Sequence, residues 1–244
     1  MRTSIIAGNW KMYKNPADTR SFFEHVRGLI GRSSQREVVI CPPYLDIEMA
    51  LVATRGSRIQ IGAQNLYWEK EGAFTGEVSG PMIKAAGCSH VIVGHSERRQ
   101  YFGETNESVL KKTRAALEAG LTPIVCVGER EKQNMKNVLV EQFQQGIGSL
   151  SKKQFAGIVI AYEPVWAIGT GNADTPETSN DAHRIIRAQA EGRFGDAAND
   201  VRILYGGSAK PDNAKSYLVQ TEIDGLLLDG ASLDPVGFAD IVNL

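Results

Sequence analysis

The chain has 244 residues, and its 27 Lys and Arg against 28 Asp and Glu give a formal net charge of -1. This balance argues against a nucleic-acid partner, and three scattered cysteines, Cys41, Cys88 and Cys126, are too few for a disulfide framework or a Cys-based zinc site. No apolar run has membrane-spanning length and the first residues lack a signal-peptide pattern, so we expect a cytoplasmic protein that does not contact a membrane.

Eight short apolar runs recur along the chain, and each is typical of a strand buried on both faces of a parallel sheet. They are Ser4–Ala7, Val38–Cys41, Ile59–Gly62, His90–Val93, Thr122–Val127, Ile158–Ala161, Val201–Tyr205 and Ile223–Leu228. Between the runs, apolar residues recur at three- and four-residue spacing, as in Phe22, Phe23 and Val26, which predicts helices. Helix starts are predicted at Asp18 or Asn15 with Pro16, at Thr105 with Ser108, and at Asp174 or Thr175 with Pro176.

The alternation of strands and helices indicates an α/β fold with about eight βα units. Such a chain forms either an open doubly wound sheet or a closed (β/α)8 barrel with outer helices. A dinucleotide-binding open sheet needs G-x-G-x-x-G after its first strand, where this chain reads Ala7-Gly8-Asn9-Trp10-Lys11. Because no linker interrupts the pattern, we predict a single barrel domain over residues 1–244.

Chemistry in such a barrel gathers at the carboxyl ends of the strands. The polar or glycine-containing segments at these ends are Asn9 and Lys11, Gln64 and Asn65, His95 to Glu97, Glu163, Gly206 to Ser208, and Asp229 with Gly230. Three of these residues have ordinary alternatives: His95 as a structural histidine, Lys11 as a solvated charge, and Glu97 as a partner of Arg98, Arg99 or Lys11. Their convergence on one face of the barrel favours a functional site.

Glu163 stands between a buried strand and the segment Pro164-Val165-Trp166-Ala167-Ile168-Gly169-Thr170-Gly171. A carboxylate in that place loses part of its hydration and becomes a stronger base. The proline at one end of the segment and the glycines at the other are typical of a lid that moves between two hinges. Taken alone, the segment is equally compatible with a surface glutamate before an ordinary apolar loop.

The turns Gly206-Gly207-Ser208 and Asp229-Gly230 follow neighbouring strands, where backbone N–H groups of barrels often bind phosphate; plain turns are the alternative. With a phosphate held there, Glu163 can take a proton from a carbon next to a carbonyl, while His95 and Lys11 stabilise the oxygen that becomes negative. His95 has no partner at H-x-x-x-H spacing, and we predict no metal and no cofactor. The predicted chemistry is an aldose–ketose isomerisation of a small phosphorylated substrate.

Four blocks of the chain resemble the signature blocks of the triosephosphate isomerase family. They are Gly8-Asn9-Trp10-Lys11, Val93 to Arg99, Ala161 to Gly171, and Tyr205-Gly206-Gly207-Ser208, in family order over nearly the whole chain. The resemblance implies a TIM barrel that interconverts dihydroxyacetone phosphate and D-glyceraldehyde 3-phosphate through an enediolate, in glycolysis and gluconeogenesis. It implies that Glu163 is the base and His95 the neutral electrophile, that Lys11 and Asn9 polarise the substrate, and that Glu97 holds Lys11.

The same resemblance implies substrate contacts and a homodimer. Ile168 and Gly169 of the lid, Ser208, and the Asp229-Gly230 turn would contact the phosphorylated triose. The loop from Gln64 to Glu77, with Thr75 near its tip, would enter a pocket of a second copy; a flexible surface loop is the alternative.

Asp229 departs from the family pattern, which usually has two glycines where this chain has Asp229-Gly230. The backbone N–H of Asp229 can still face a phosphate, but a carboxylate aimed into the pocket would repel a dianion. Replacing Asp229 by glycine would then lower KM with less effect on kcat. Two rival functions stay open: a barrel isomerase or epimerase for another sugar phosphate, and a non-catalytic or weakly active homologue acting as a binding protein.

Overall fold

Eight parallel strands close into a barrel in chain order, and β8 pairs with β1. A computed structural model describes residues 2–31, 35–131, 133–167 and 174–244. The strands are β1 Ile5–Asn9, β2 Glu37–Cys41, β3 Ile59–Ala63, β4 His90–Val93, β5 Thr122–Val127, β6 Val159–Tyr162, β7 Arg202–Tyr205 and β8 Gly225–Leu228. The predicted (β/α)8 barrel is confirmed, and the open-sheet alternative is wrong.

The last strand begins two residues later than predicted, at Gly225 rather than Ile223. Gly225 has φ 149°, and a Cβ there would lie 1.9 Å from the carbonyl oxygen of Ile5. The backbone of the preceding Asp224 still bonds both neighbouring strands: its N–H donates to the carbonyl of Ile203 at 2.8 Å and its carbonyl accepts the N–H of Ile5 at 3.1 Å. Its carboxylate accepts from Arg187 and from the N–H of Ile203. A residue without a side chain is therefore required where β8 begins beside β1.

Helices cover the outside of the barrel. The described residues form α1 Pro16–Leu29, α2 Ile47–Ala53, α3 Gly80–Ala86, α4 Ser96–Tyr101, α5 Asn106–Glu118, α6 Met135–Gly146, α7 Lys152–Phe155, α8 Pro176–Phe194, α9 Pro211–Leu218 and α10 Pro235–Asn243. Of the alternatives for the helix starts, Asn15, Thr105 and Thr175 are the N-caps, each accepting a hydrogen bond from a backbone N–H of the first turn. None of the helices in these ranges is both long and apolar enough to cross a membrane.

The apolar core has two layers because successive strand residues point to opposite faces of the sheet. Inside the barrel lie small and branched residues such as Ile5, Ala7 and Val39. Their neighbours Ile6 and Val38 face outward and pack with the helices. Since both faces are buried, the strands carry continuous apolar runs rather than an alternating pattern.

A polar network closes the amino-terminal end of the barrel, away from the carboxyl ends of the strands. Glu37 at the start of β2 accepts hydrogen bonds from Gln60 and Arg202 and lies 3.3 Å from Nε2 of His90. The contacts with His90 and Arg202 lower the pKa of Glu37 to about 2, against the opposing effect of burial. This network is structural and lies at the end opposite to the predicted site.

Candidate active site

The backbone of Glu163 is held between β5 and β7 at the point where β6 ends. Its N–H donates to the carbonyl of Val127 at 2.8 Å, and Gly206 donates to the carbonyl of Tyr162 at 2.7 Å. A Cβ on Gly128 would lie only 1.7 Å from the carbonyl oxygen of Glu163, so a residue without a side chain is required there. The position of Glu163 is therefore defined by two neighbouring strands and one close backbone contact.

The carboxylate of Glu163 is buried, with 2% of the residue exposed. Its Oε2 accepts the backbone N–H of Ser96 at 2.9 Å, and its Oε1 lies 2.9 Å from Nε2 of His95. The second contact is not aligned as a hydrogen bond, and within the described ranges both Oε1 and Nε2 lack a hydrogen-bond partner. Two buried polar atoms side by side are thus available to a ligand.

His95 precedes α4 and caps it: the backbone N–H of Glu97 donates to Nδ1 at 3.2 Å. Burial lowers the pKa of His95, but the carboxylates of Glu163 and Asp229 outweigh it and raise the pKa to about 10. The raised pKa favours a ring protonated on both nitrogens, whereas the hydrogen bond from Glu97 requires an unprotonated Nδ1. We assign a neutral ring protonated at Nε2, because a proton on Nδ1 would face the N–H of Glu97 and the positive end of the helix dipole.

Lys11 has a left-handed backbone, with φ 52°, which is strained for a lysine. The side chain of Gln64 holds this conformation by donating to the carbonyls of Lys11 and Cys41 at 2.8 and 2.9 Å. Nζ lies 2.8 Å from Glu97 and 2.9 Å from Asp229. Burial lowers the pKa of Lys11, but the two carboxylates raise it above its ordinary value, so the side chain stays charged.

Asp229 points its carboxylate into the site. Oδ1 accepts a hydrogen bond from the Asn9 amide at 3.2 Å and lies 3.8 Å from Nε2 of His95, while Oδ2 pairs with Lys11. Burial alone would raise the pKa of Asp229, but the contacts with His95 and Lys11 hold it below its usual range. The structure therefore brings Asn9, Lys11, His95, Glu97, Glu163 and Asp229 into one cluster.

The predicted phosphate-binding turns follow β7 and β8. Ser208 uses its hydroxyl to bind the carbonyl of Ala167 at 2.8 Å, and Gly230 begins a short 3₁₀ helix, Gly230–Ser232. Within the described part of the chain, the backbone N–H groups of Ser208 and Gly230 donate no hydrogen bond. Ile168 and Gly169 of the predicted lid lie outside the described residues.

The start of the lid segment is attached to β5 through Glu129. Oε1 of Glu129 accepts the indole N–H of Trp166 at 2.8 Å and the hydroxyl of Tyr162 at 3.1 Å. Burial raises the pKa of Glu129. Glu129 was not among the residues predicted for the site, whereas Gln64 and Ser96 were predicted only as strand-end residues, without a stated contact in the site. The strand-end rule would have found Glu129, because it stands two residues after β5.

A cavity of about 460 Å³ opens beside this cluster. It is lined by Asn9, Lys11, Met12, Tyr13, Tyr44, Gln64, Asn65, Ile92, His95, Glu97, Arg98 and Phe102, and we call it the notch. No group of three or more metal-binding side chains occurs among the residues described. The arrangement combines a buried carboxylate, a neutral N–H donor and an ammonium, which together suit proton transfer next to a carbonyl.

Comparison with known proteins agrees with this chemistry. A family model described as triosephosphate isomerase matches residues 4–244. A relative from Solibacter usitatus named triosephosphate isomerase is 63% identical, and the match covers 100% of both chains. Relatives with the same name from Dictyoglomus turgidum and Moorella thermoacetica are 49% and 48% identical; the matches cover 100% of this chain and 100% and 99% of theirs.

Proposed function

The chain belongs to the triosephosphate isomerase family and is an isomerase of triose phosphates, and we propose that Glu163 moves the proton in this reaction. The substrates are dihydroxyacetone phosphate and D-glyceraldehyde 3-phosphate. The observation that carries the role of Glu163 is its buried carboxylate, which is held by the N–H of Ser96 and leaves Oε1 free beside Nε2 of His95. A held and dehydrated carboxylate is positioned to act as a base.

In the proposed reaction, Oε1 of Glu163 takes a proton from the carbon next to the carbonyl. The electrons of the broken C–H bond move to the carbonyl oxygen and form an enediolate. The N–H at Nε2 of His95 and the ammonium of Lys11 stabilise this negative oxygen, with the amide of Asn9 as a further donor. The proton of the substrate hydroxyl passes to the former carbonyl oxygen, and Glu163 returns its own proton to the carbon that bears this oxygen. The former hydroxyl carbon thereby becomes the carbonyl, so no cofactor is required.

The phosphate of the substrate is proposed to bind the N–H groups of Ser208 and Gly230. Support comes from their positions after β7 and β8 and from the lack of any other partner in the described ranges. Ile168 and Gly169 would complete the contact from the lid. The hydroxyl of Ser208 already joins its turn to Ala167, at the start of the lid segment.

A substrate panel tests this function. We expect purified protein to isomerise D-glyceraldehyde 3-phosphate with a kcat/KM at least about 10³-fold above that for tetrose, pentose and hexose phosphates, since a longer chain held by the same phosphate-binding turns would displace its carbonyl from Glu163 and His95. A coupled assay following dihydroxyacetone phosphate formation measures it. Equal rates with a longer sugar phosphate would favour another barrel isomerase, and no turnover by folded protein would favour a binding protein.

We further propose a homodimer in which the loop Gln64 to Glu77 of each copy enters the notch of the other. The loop is a structured protrusion: Tyr67 stacks on Trp68 and contacts Phe74, and the N–H of Tyr67 bonds the carbonyl of Val78 at 2.8 Å. Phe74 and Thr75 are exposed, as are Tyr13 and Phe102 in the notch. A second copy would cover these apolar surfaces.

Placing a charge at the loop tip tests the dimer. We expect Thr75→Arg to sediment as a monomer at micromolar concentration and to lose at least about tenfold in kcat/KM, because the notch borders Lys11 and His95 and an unpaired charge is costly in an interface. Thr221→Arg, the same change at an exposed residue before β8, is the matched control and should sediment like the wild type. A monomeric wild type, or a dimeric Thr75→Arg protein, would contradict the proposal.

We also propose a cellular role. We place the reaction in glycolysis and gluconeogenesis and the protein in the cytoplasm, with residues 1–244 forming one domain. The relatives named triosephosphate isomerase support the isomerase reaction in this proposal.

A further inference from the structure

We propose that the carboxylate of Asp229 is an internal competitor of the substrate, which occupies Lys11 and Asn9 in the free enzyme and must leave both before the substrate binds. This inference rests on the proposed function, because it assumes that the oxygens of a triose phosphate use these two donors. It extends the repulsion expected of this carboxylate: the side chain of Asp229 weakens substrate binding by the same contacts that order Lys11 and Asn9.

The contacts of Asp229 use both carboxylate oxygens. Oδ2 lies 2.9 Å from Nζ of Lys11, and Oδ1 accepts from the Asn9 amide at 3.2 Å and lies 3.8 Å from Nε2 of His95. These three side chains are the donors that the proposed reaction needs for the substrate oxygens. In the free enzyme a carboxylate of the protein therefore stands where anionic and carbonyl oxygens of the substrate would bind.

The charges around Lys11 make this competition costly for an anionic ligand. The ammonium of Lys11 pairs with two carboxylates, since Glu97 lies 2.8 Å and Asp229 2.9 Å from its Nζ. Arg98, the other cation that lines the notch, is paired with Glu104. Together with Glu163, the cluster holds three carboxylates against one lysine, and a phosphate dianion that enters beside Asp229 meets repulsion as well as occupied donors.

The side chain of Asp229 can leave without disturbing the fold. Its carbonyl is held by the N–H of Ser232 at 2.9 Å and by the hydroxyl of Ser232 at 2.6 Å. The side chain itself is 18% exposed, whereas Glu163 is 2% exposed. Rotation of the carboxylate toward solvent would release Lys11 and Asn9 while the Gly230 N–H keeps its place. Glu97 would remain as the partner that orients Lys11.

Removing the negative charge of Asp229 while keeping its shape tests the proposal. We expect Asp229→Asn to lower the Kd for inorganic phosphate, measured by titration calorimetry, by about tenfold, equivalent to ~1.4 kcal/mol. KM for D-glyceraldehyde 3-phosphate should fall by a similar factor, with a smaller change in kcat. Asp229→Gly provides a second variant with no side chain and should change both constants in the same direction.

Asp234→Asn is the matched control. It makes the same change of charge five residues later, where Asp234 caps α10 through the N–H of Gly237, and asparagine is an equally good cap. We expect its Kd for phosphate and its KM to equal those of the wild type. A similar gain in Asp234→Asn would mean that overall charge, rather than the contacts of Asp229, sets the affinity.

The opposite result would overturn the inference. If Asp229→Asn leaves Kd and KM unchanged, or raises them with a loss of kcat, the carboxylate positions Lys11 for the substrate and does not compete with it. Phosphate binding is measured without turnover, so this outcome is distinct from a failure of the proposed function. That failure would show as a wild-type protein that binds phosphate but isomerises no triose phosphate.

Discussion

Glu163→Asp is expected to lower kcat by about 10²- to 10³-fold with a much smaller change in KM. The substitution keeps the charge but withdraws the carboxylate by one methylene, which breaks its hydrogen bond with the Ser96 N–H and its 2.9 Å approach to Nε2 of His95. A displacement of about 1 Å at a reacting group costs about 10²-fold in rate. Steady-state kinetics with D-glyceraldehyde 3-phosphate measures the effect.

A second glutamate serves as the matched control for this substitution. Glu37→Asp shortens a partly buried, hydrogen-bonded carboxylate at the opposite end of the barrel. We expect Glu37→Asp to keep the wild-type kcat/KM. A Glu163→Asp protein that retains more than about one-third of the wild-type kcat would exclude Glu163 as a base with a defined position.

His95→Asn is expected to lower kcat by about 10²- to 10³-fold while leaving the free energy of unfolding nearly unchanged. His95 has two separable tasks: Nδ1 caps α4 by accepting the N–H of Glu97, and Nε2 faces Glu163. Asparagine is a good N-cap, but its amide is too short to replace Nε2. Loss of one donor to a developing oxyanion costs about this much in other enzymes.

His95→Ala separates the two tasks, because it removes both the cap and the donor. We expect the same loss of kcat as in His95→Asn, together with a decrease of about 1 kcal/mol in the free energy of unfolding, measured by urea denaturation. If His95→Asn kept wild-type kcat, Nε2 would have no part in stabilising the enediolate. Equal stability of the two variants would show that the cap is unimportant.

Most of the architecture was predictable because its signals are local. Apolar runs such as His90–Val93 indicate a strand that is buried on both faces of the sheet. Capping residues such as Asn15, followed by Pro16, indicate where a helix begins to within a few residues. The order of strands and helices then leaves few topologies, and the rule that chemistry gathers at carboxyl strand ends selects Lys11, His95 and Glu163. The alternatives for Glu97 could not be separated in this way, since Arg98, Arg99 and Lys11 were all possible partners.

The sequence by itself thus determined the barrel, the face on which the proposed site lies and the candidate residues for proton transfer. Only the tertiary structure decided which groups meet: Glu97 pairs with Lys11, Gln64 holds the strained backbone of Lys11, and Asp229 turns its carboxylate inward. The physical reason is barrel closure, since pairing of β8 with β1 places Asp229 beside Asn9 across 220 positions of sequence. No local pattern encodes that contact or the direction of a single side chain within it.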